Sequence, residues 1–204
     1  MKQNEVNIAG VGIFHGDIDA DIVKCAGVGR SLGNINCRRM EVAGVFSAGG
    51  KIKAEEVEVK GLLRSKADFS TERFTVLGAV MIDGLLNADN IDIKFDRIGR
   101  IREVGGDTVS IRPIYNYKGS VSRVFDNFMN MFANRRFKID SIEGNEIYLE
   151  NVDVNSVRGE NVVVGPNCHV GFLEYSKKAK VHDSAQVGEM KGLKTGTTGE
   201  YSHE

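Results

Sequence analysis

The chain has 204 residues and a formal net charge of −1. This length is enough for one domain or two small ones with a sizeable core, and the near-neutral charge gives no reason to expect nucleic acid or an anionic membrane as a partner. No apolar run reaches transmembrane length, and the first residues lack a basic n-region and a long apolar h-region. We therefore expect a cytoplasmic protein. The 24 Gly, 2 Pro and absence of Trp indicate many short strands with glycine corners.

A seventeen-residue repeat begins at Val6 and runs through the first half of the chain. In each copy the first and third places are apolar, the fifth is Gly, and the thirteenth and fifteenth are apolar or small. Apolar residues two apart face one side of a strand, and a corner glycine permits φ > 0 or a close approach of two backbones. Three short strands and three corners form one rung of an all-β, parallel β-solenoid (β-helix), whose rungs bury a core only by stacking. The corner glycines are Gly10, Gly27, Gly44, Gly61 and Gly78.

The same register explains the cysteines. They are three in number and do not have the spacing of metal ligands. Cys25 and Cys37 stand at inward places that other rungs fill with Ile, Val, Ala or Thr, and the third is Cys168. We expect buried, reduced thiols, with no metal and no cofactor.

The regular repeat breaks in the sixth rung, which is eighteen residues long from Ile91 to the residue before Val109. Residues 118–137 follow, where apolar side chains recur at helical spacing and predict one amphipathic helix inserted before further coils. We expect the helix to pack on the solenoid. A membrane-surface or partner-binding helix is the alternative, which its weakly basic polar face disfavours. The packing residues are expected to be Phe125, Phe128 and Phe132.

Short strands return after this helix. Val164 and Val181 are seventeen residues apart, as are Val170 and Val187. The sequence leaves open whether these coils continue the same rod. The predicted division is a short tail at 1–5, a β-solenoid domain at 6–117, the helix at 118–137, C-terminal solenoid coils at 138–188, and a polar tail at 189–204 that is expected to be disordered.

No catalytic motif is present. The chain has no P-loop, no GxGxxG motif that follows a strand and starts a helix, no GxSxG and no HExxH. The histidines are His15, His169, His182 and His203, and the two on neighbouring coils are thirteen residues apart, so they do not share the register. We expect no catalytic residues and no enzyme activity.

The repeats "MEVAGVFSAGGKIKAEE" and "FTVLGAVMIDGLLNADN" resemble those of the bactofilins, which are bacterial polymer-forming cytoskeletal proteins. The resemblance covers about residues 5–112, and residues 159–188 resemble the C-terminal coils of the Bacillus-type branch. It implies a right-handed β-helix that stacks end to end into filaments without nucleotide. It also implies a scaffold for cell shape, the envelope or the motility apparatus, at the inner face of the membrane. The implied partners are other copies or a paralogous bactofilin, with no nucleic acid and at most peripheral membrane association.

Two other functions remain open. One is a solenoid adaptor that stops at a dimer and binds another protein. The other is suggested by "VVVGPNCHVG" at 162–171, which resembles the hexapeptide repeat of left-handed β-helix acyltransferases. Those enzymes run on eighteen residues per coil, whereas the period here is seventeen over five rungs.

The N-terminal rung is the predicted contact between copies. A solenoid end has unpaired backbone groups and is normally protected by a polar capping repeat. Five residues precede Val6, and the first rung is as apolar as an interior one. We expect this rung to stack on its copy from a second chain in a two-fold, head-to-head contact. The expected contact residues are Val6, Ile8, Val11, Phe14 and Ile18.

Overall fold

The computed structural model describes residues 3–96, 99–114, 136–193 and 200–203. Within these ranges every regular element is a β-strand, and no helix is found there. The strands are β1 (Gln3–Ile8), β2 (Val11–Phe14), β3 (Ile18–Cys25), β4 (Val28–Ser31), β5 (Ile35–Val42), β6 (Val45–Ala48), β7 (Ile52–Lys53), β8 (Glu56–Val59), β9 (Leu62–Ser65), β10 (Phe69–Phe95), β11 (Arg100–Pro113), β12 (Phe137–Leu149), β13 (Val152–Val164), β14 (His169–Val181), β15 (Gln186–Gly192) and β16 (Glu200–His203).

All sixteen strands pair in parallel, and each pairing joins one rung to the next. In β1 and β3, Val6 lies opposite Val23. In β2 and β4, Val11 lies opposite Val28. Both separations are seventeen residues, which confirms the predicted parallel β-solenoid and its rung length. About ten rungs stack, so at roughly 4.8 Å per rung the rod is about 48 Å long.

Three ladders of paired segments form the walls of the solenoid, which we name in the order in which the first rung forms them. Wall 1 contains residues 5–8, 22–25, 39–42, 56–59, 73–76, 90–95, 108–113, 146–149, 161–164 and 178–181. Wall 2 contains residues 11–14, 28–31, 45–48, 62–65, 79–82, 100–101, 138–139, 153–154, 169–170 and 186–187. Wall 3 contains residues 18–20, 35–37, 52–53, 69–70, 85–87, 103–105, 141–143, 156–158, 172–174 and 189–191.

The core lies inside these walls because alternate residues of each strand point inward. At the first place of the repeat, Val23, Met40 and Val57 have no exposed surface. Cys25 and Cys37 are 2% and 6% exposed, which confirms that these two cysteines occupy inward places. Stacked apolar columns of this kind make the core continuous from rung to rung.

The rungs change length in the second half of the rod. Ile91 lies opposite Val109, eighteen residues on, as predicted. Val109 then lies opposite Ile147, thirty-eight residues on, and residues 115–135, which are outside the described part, stand between them in the chain. Ile147 lies opposite Val162 after only fifteen. Since β11 pairs directly with β12, the later coils continue the same stack, which answers the question that the sequence left open.

The predicted helix at 118–137 lies outside the described residues except at its last two positions. Phe137 already begins β12 and has no exposed surface. Its ring packs against Phe95 with centroids 5.1 Å apart. The boundary at 137 is therefore wrong, because the aromatic pattern extends into a residue that belongs to the core.

The two tails also differ from the prediction. β1 already begins at Gln3, which lies opposite Ala20. Within the tail expected to be disordered, β15 extends to Gly192 and β16 spans Glu200–His203, and both strands pair with β14. Polar composition misled the prediction here, because the exposed edge of a solenoid rung offers backbone hydrogen bonds that any side chain except Pro permits.

Candidate assembly surfaces

The N-terminal end of the solenoid presents two strands that pair on one side only. Among the described strands, β1 pairs with β3 alone and β2 pairs with β4 alone. Such strands have a row of unpaired N–H and C=O groups that can pair with another chain. The geometry at this end therefore admits a further rung.

The five predicted contact residues do not share one environment. Val6, Ile8 and Ile18 point inward and are 7%, 4% and 6% exposed within a single chain. Phe14 is half-buried, whereas Val11 is 83% exposed on the outside of wall 2. The end therefore presents backbone edges and the Phe14 ring rather than a broad apolar floor. That these residues contact another copy stays a prediction.

The corner glycines allow one rung to lie close against the next. A Cβ added to Gly27 would lie 2.0 Å from the carbonyl oxygen of Gly10. The corresponding distance is 2.0 Å from Gly44 to Gly27 and 2.1 Å from Gly61 to Gly44. Among the five corner glycines, φ lies in the left-handed region only at Gly78, at +147°. Close backbone approach is therefore the main reason for glycine here, and positive φ applies at one corner.

Two glycines of the first rung have no such neighbour. A Cβ on Gly10 or Gly16 would meet nothing within 4 Å. Their counterparts one rung later are blocked, since a Cβ on Gly33 would lie 2.5 Å from the carbonyl oxygen of Gly16, just as Gly27 is blocked by Gly10. Among the described residues of one chain, no atom lies close enough to require glycine at Gly10 or Gly16. A rung from a second chain, stacked against the first rung, would make glycine necessary at both positions.

The C-terminal end has unpaired strand edges as well. Among the described strands, β15 and β16 pair only with β14. Met190 lies opposite Leu173, whose side chain is fully buried. Met190 itself is 36% exposed, and Leu193 is 42% exposed. This end therefore also leaves apolar side chains partly exposed, within the part of the chain that the structure describes.

Phe125, Phe128 and Phe132, the predicted helix-packing residues, lie outside the described residues. The described chain stops at Ile114 and resumes at Arg136, and both residues lie at the corner between wall 1 and wall 2. Among the residues that the structure describes, we find no helix with the length and hydropathy needed to cross a bilayer.

The outer face of wall 1 has charges that pair between rungs. The Arg39 guanidinium lies 2.7 Å from Glu41, 3.4 Å from Glu56 and 3.5 Å from Glu58. A hydrogen bond from Lys60 is the main cause that lowers the pKa of the Glu58 carboxyl. Exposed pairs of this kind each contribute little to stability, but they leave the charge of this wall largely satisfied within the chain.

The histidines are spread along the rod. His15 is exposed after β2, and His169 is half-buried in β14. The Nδ1 atom of His182 lies 2.9 Å from the hydroxyl of Ser184 at a corner. The side chain of His203 is outside the described part. Within the described residues, no group of three or more His, Cys, Asp or Glu side chains could hold a metal.

All three cysteines are buried, and none of them forms a disulfide. Burial raises the pKa of the Cys168 thiol from 9.0 to about 11 and also raises the pKa of the Cys25 thiol. Such thiols remain protonated at neutral pH, so these cysteines are packing residues in the core.

The chain is similar to two proteins of Bacillus subtilis (strain 168). It is 30% identical over 113 residues to the uncharacterized protein YhbF and 31% identical over 107 residues to the uncharacterized protein YhbE. The alignments cover 54% and 52% of this chain and 42% of each relative, so the chain spans less than half the length of these relatives. No family model matches the chain, and no solved structure matches it significantly.

Proposed function

We propose that this chain is a structural scaffold that assembles by end-to-end stacking of its β-solenoid without nucleotide. The observation that supports this most directly is at the N-terminal end. Gly10 and Gly16 keep the small residue that stacking demands, although a Cβ at either position would meet nothing within 4 Å among the described residues. The unpaired edges of β1 and β2 supply the backbone groups that such a contact would use.

The assembly continues the core from one copy into the next and uses no nucleotide-dependent interface. At a two-fold, head-to-head contact the chain direction of the second copy is reversed, so the edge strands β1 and β2 would pair antiparallel with the end rung of that copy. Each net backbone hydrogen bond contributes about 1 kcal/mol, and the half-buried Phe14 ring adds apolar burial. The open strand edges and exposed Met190 at the other end allow a second contact, which would extend a dimer into a filament.

The resemblance of the repeats to the bactofilins supports the same proposal. On this basis the protein is a cytoskeletal element that supports cell shape, the envelope or the motility apparatus. Its partners are other copies of itself or a paralogous bactofilin. It acts in the cytoplasm, at the inner face of the cell membrane.

The proposal is tested with purified protein in the absence of nucleotide. Negative-stain microscopy should show filaments, and sedimentation velocity should show species that grow with concentration. A ceiling at the dimer would favour an adaptor that binds another protein. Closed trimers would favour the acyltransferase alternative, and a monomer at every concentration would contradict the proposal.

A further inference from the structure

Wall 2 differs from the other walls in its outer face. Its first outward column is apolar over five rungs, and the members lie opposite one another in the strand register. Val11 is 83% exposed and Val28 is 50% exposed. These side chains protrude from the surface instead of filling the core. The column consists of Val11, Val28, Val45, Leu62 and Ala79.

The second outward column of wall 2 combines apolar and basic residues. It begins at Ile13, which is 58% exposed, and it has no acidic member before Asp153 in the eighth rung. All of its cations are exposed. They lie on one line parallel to the rod axis, within about 25 Å at the usual rung spacing. These cations are Arg30, Arg64, Arg100 and Lys138.

The cations of this column form no ion pair with any described residue. Wall 1 is the opposite case, because Lys24 lies 3.5 Å from Glu5 and Lys94 lies 3.4 Å from Asp92. An acid-free line of unpaired cations beside exposed valines therefore distinguishes one face of a chain whose net charge is −1.

We propose that the outer face of wall 2, formed by these two columns, docks on an anionic lipid surface. The arginines and the lysine would meet phosphate and acidic headgroups, to which basic side chains near a membrane are attracted. The exposed valines and Ile13 would enter the boundary between headgroups and acyl chains, as the apolar face of an interfacial helix does. This inference deepens the proposed location at the membrane by naming the surface that would contact it, and it applies to a single chain, whether or not the copies stack. End-to-end stacking would multiply such contacts along the rod.

A second copy of the chain is the competing occupant, and it could present the outer face of wall 3. Its outward residues in the first four rungs are polar, and they would meet the apolar column of wall 2 without burying it against apolar surface. A lipid surface satisfies both columns at once, so the observations favour it. The outward residues of wall 3 in these rungs are Asp19, Asn36, Lys53 and Ser70.

The test is co-sedimentation with vesicles of phosphatidylcholine and phosphatidylglycerol at 7:3, with pure phosphatidylcholine vesicles as reference. The triple variant Arg30→Gln, Arg64→Gln and Arg100→Gln should bind the anionic vesicles roughly a hundredfold more weakly, since each basic residue contributes about fivefold. The matched control is Arg38→Gln, Lys53→Gln and Arg73→Gln, which removes the same charge from exposed positions outside wall 2. It should lose far less binding. Circular dichroism checks that both variants are folded.

Two further arms separate the occupants. In the background of Gly10→Val, which removes the proposed end contact, anionic vesicles should still bind the chain, and 0.5 M salt should release most of it. Equal binding to both kinds of vesicle would overturn the proposal, as would equal losses in the triple variant and its control. Gly10→Val chains could instead associate with one another without vesicles and bind no lipid. If the wall 2 triple variant abolished this association and its control did not, the partner of wall 2 would be a second copy, and the lipid proposal would be overturned.

Discussion

Gly44 illustrates how a single residue fixes the distance between two rungs. Its missing side chain lets the backbone lie against the carbonyl of Gly27 one rung earlier. The sequence could predict which glycines stand at corners, because they recur every seventeen residues. It could not decide between close approach and positive φ, because both requirements select the same residue type.

At this corner, Gly44→Val should destabilise the fold. The new Cβ would lie 2.0 Å from the Gly27 oxygen, so the two rungs must separate, at a cost of about 2 kcal/mol or more. Thermal denaturation should show a melting temperature lower by about 4–8 °C. The control Gly10→Ala, measured on dilute protein, should melt with the parent because its Cβ meets nothing within 4 Å. Equal melting of Gly44→Val and the parent would mean that the rungs are not stacked in this register.

Cys168 provides a test of the buried core at the residue scale. Its folded pKa of about 11 lies above the unfolded value near 9.0, so the folded state keeps a proton that the unfolded state loses. The stability that this provides is complete below pH 9 and is lost as the pH rises from about 9 to about 11. Urea unfolding at pH 8 and pH 10.5 should therefore show a larger loss for the parent than for Cys168→Ala. Equal losses would show that the thiol is not protected by burial.

At the scale of elements, the pairing of β11 with β12 shows how a solenoid tolerates a long insertion. Ile101 lies opposite Ile139 and Val109 lies opposite Ile147, although residues 115–135 separate the members of each pair in the chain. The core columns therefore continue without a gap. The sequence predicted the early rungs well because their period is constant. It could not predict the join, because the next rungs have separations of thirty-eight and fifteen residues, and periodicity has no signal when the spacing changes.

Replacing residues 115–135 with one glycine should leave the solenoid folded. In the rung below, four residues join Phe95 to Arg100 at the same corner, and Pro113 and Lys138 lie opposite Phe95 and Arg100. With one glycine, four residues also join Pro113 to Lys138, which restores a rung of eighteen residues. Circular dichroism should remain that of a β-protein, with a melting temperature within a few degrees of the parent. A shortened chain that fails to fold would show that residues 115–135 are needed for the stability of the core.

The cation column of wall 2 also belongs to this scale. Its first members follow the seventeen-residue register, so Arg30 and Arg64 could have been placed on one line from the sequence. Arg100 and Lys138 could not be placed in this way. Arg100 comes nineteen residues after its neighbour in the column because the sixth rung is longer, and Lys138 comes thirty-eight residues after Arg100 because residues 115–135 stand between them.

At the scale of the whole molecule, the described rod has unpaired strand edges at both ends and a basic column on one of its three walls. Net charge, which is an average over the chain, predicted no anionic partner and concealed the basic face. The apolar content of the first rung correctly pointed to inward residues such as Ile8, but it did not reveal that they are already buried in one chain. An inward lysine at Ile8 would thus disturb the fold itself, whereas a substitution at Gly10 leaves the core untouched.

The most direct test of end-to-end assembly is sedimentation velocity of Gly10→Val over a range of concentrations. The Cβ of the valine would meet nothing within 4 Å among the described residues, and the side chain would occupy the place of a further rung. The matched control is Ala43→Val, which adds bulk at an exposed position of the same corner in an interior rung. We predict that Gly10→Val remains folded and sediments as a monomer, while the parent and Ala43→Val assemble. A folded Gly10→Val protein that assembles like the parent would contradict the N-terminal contact.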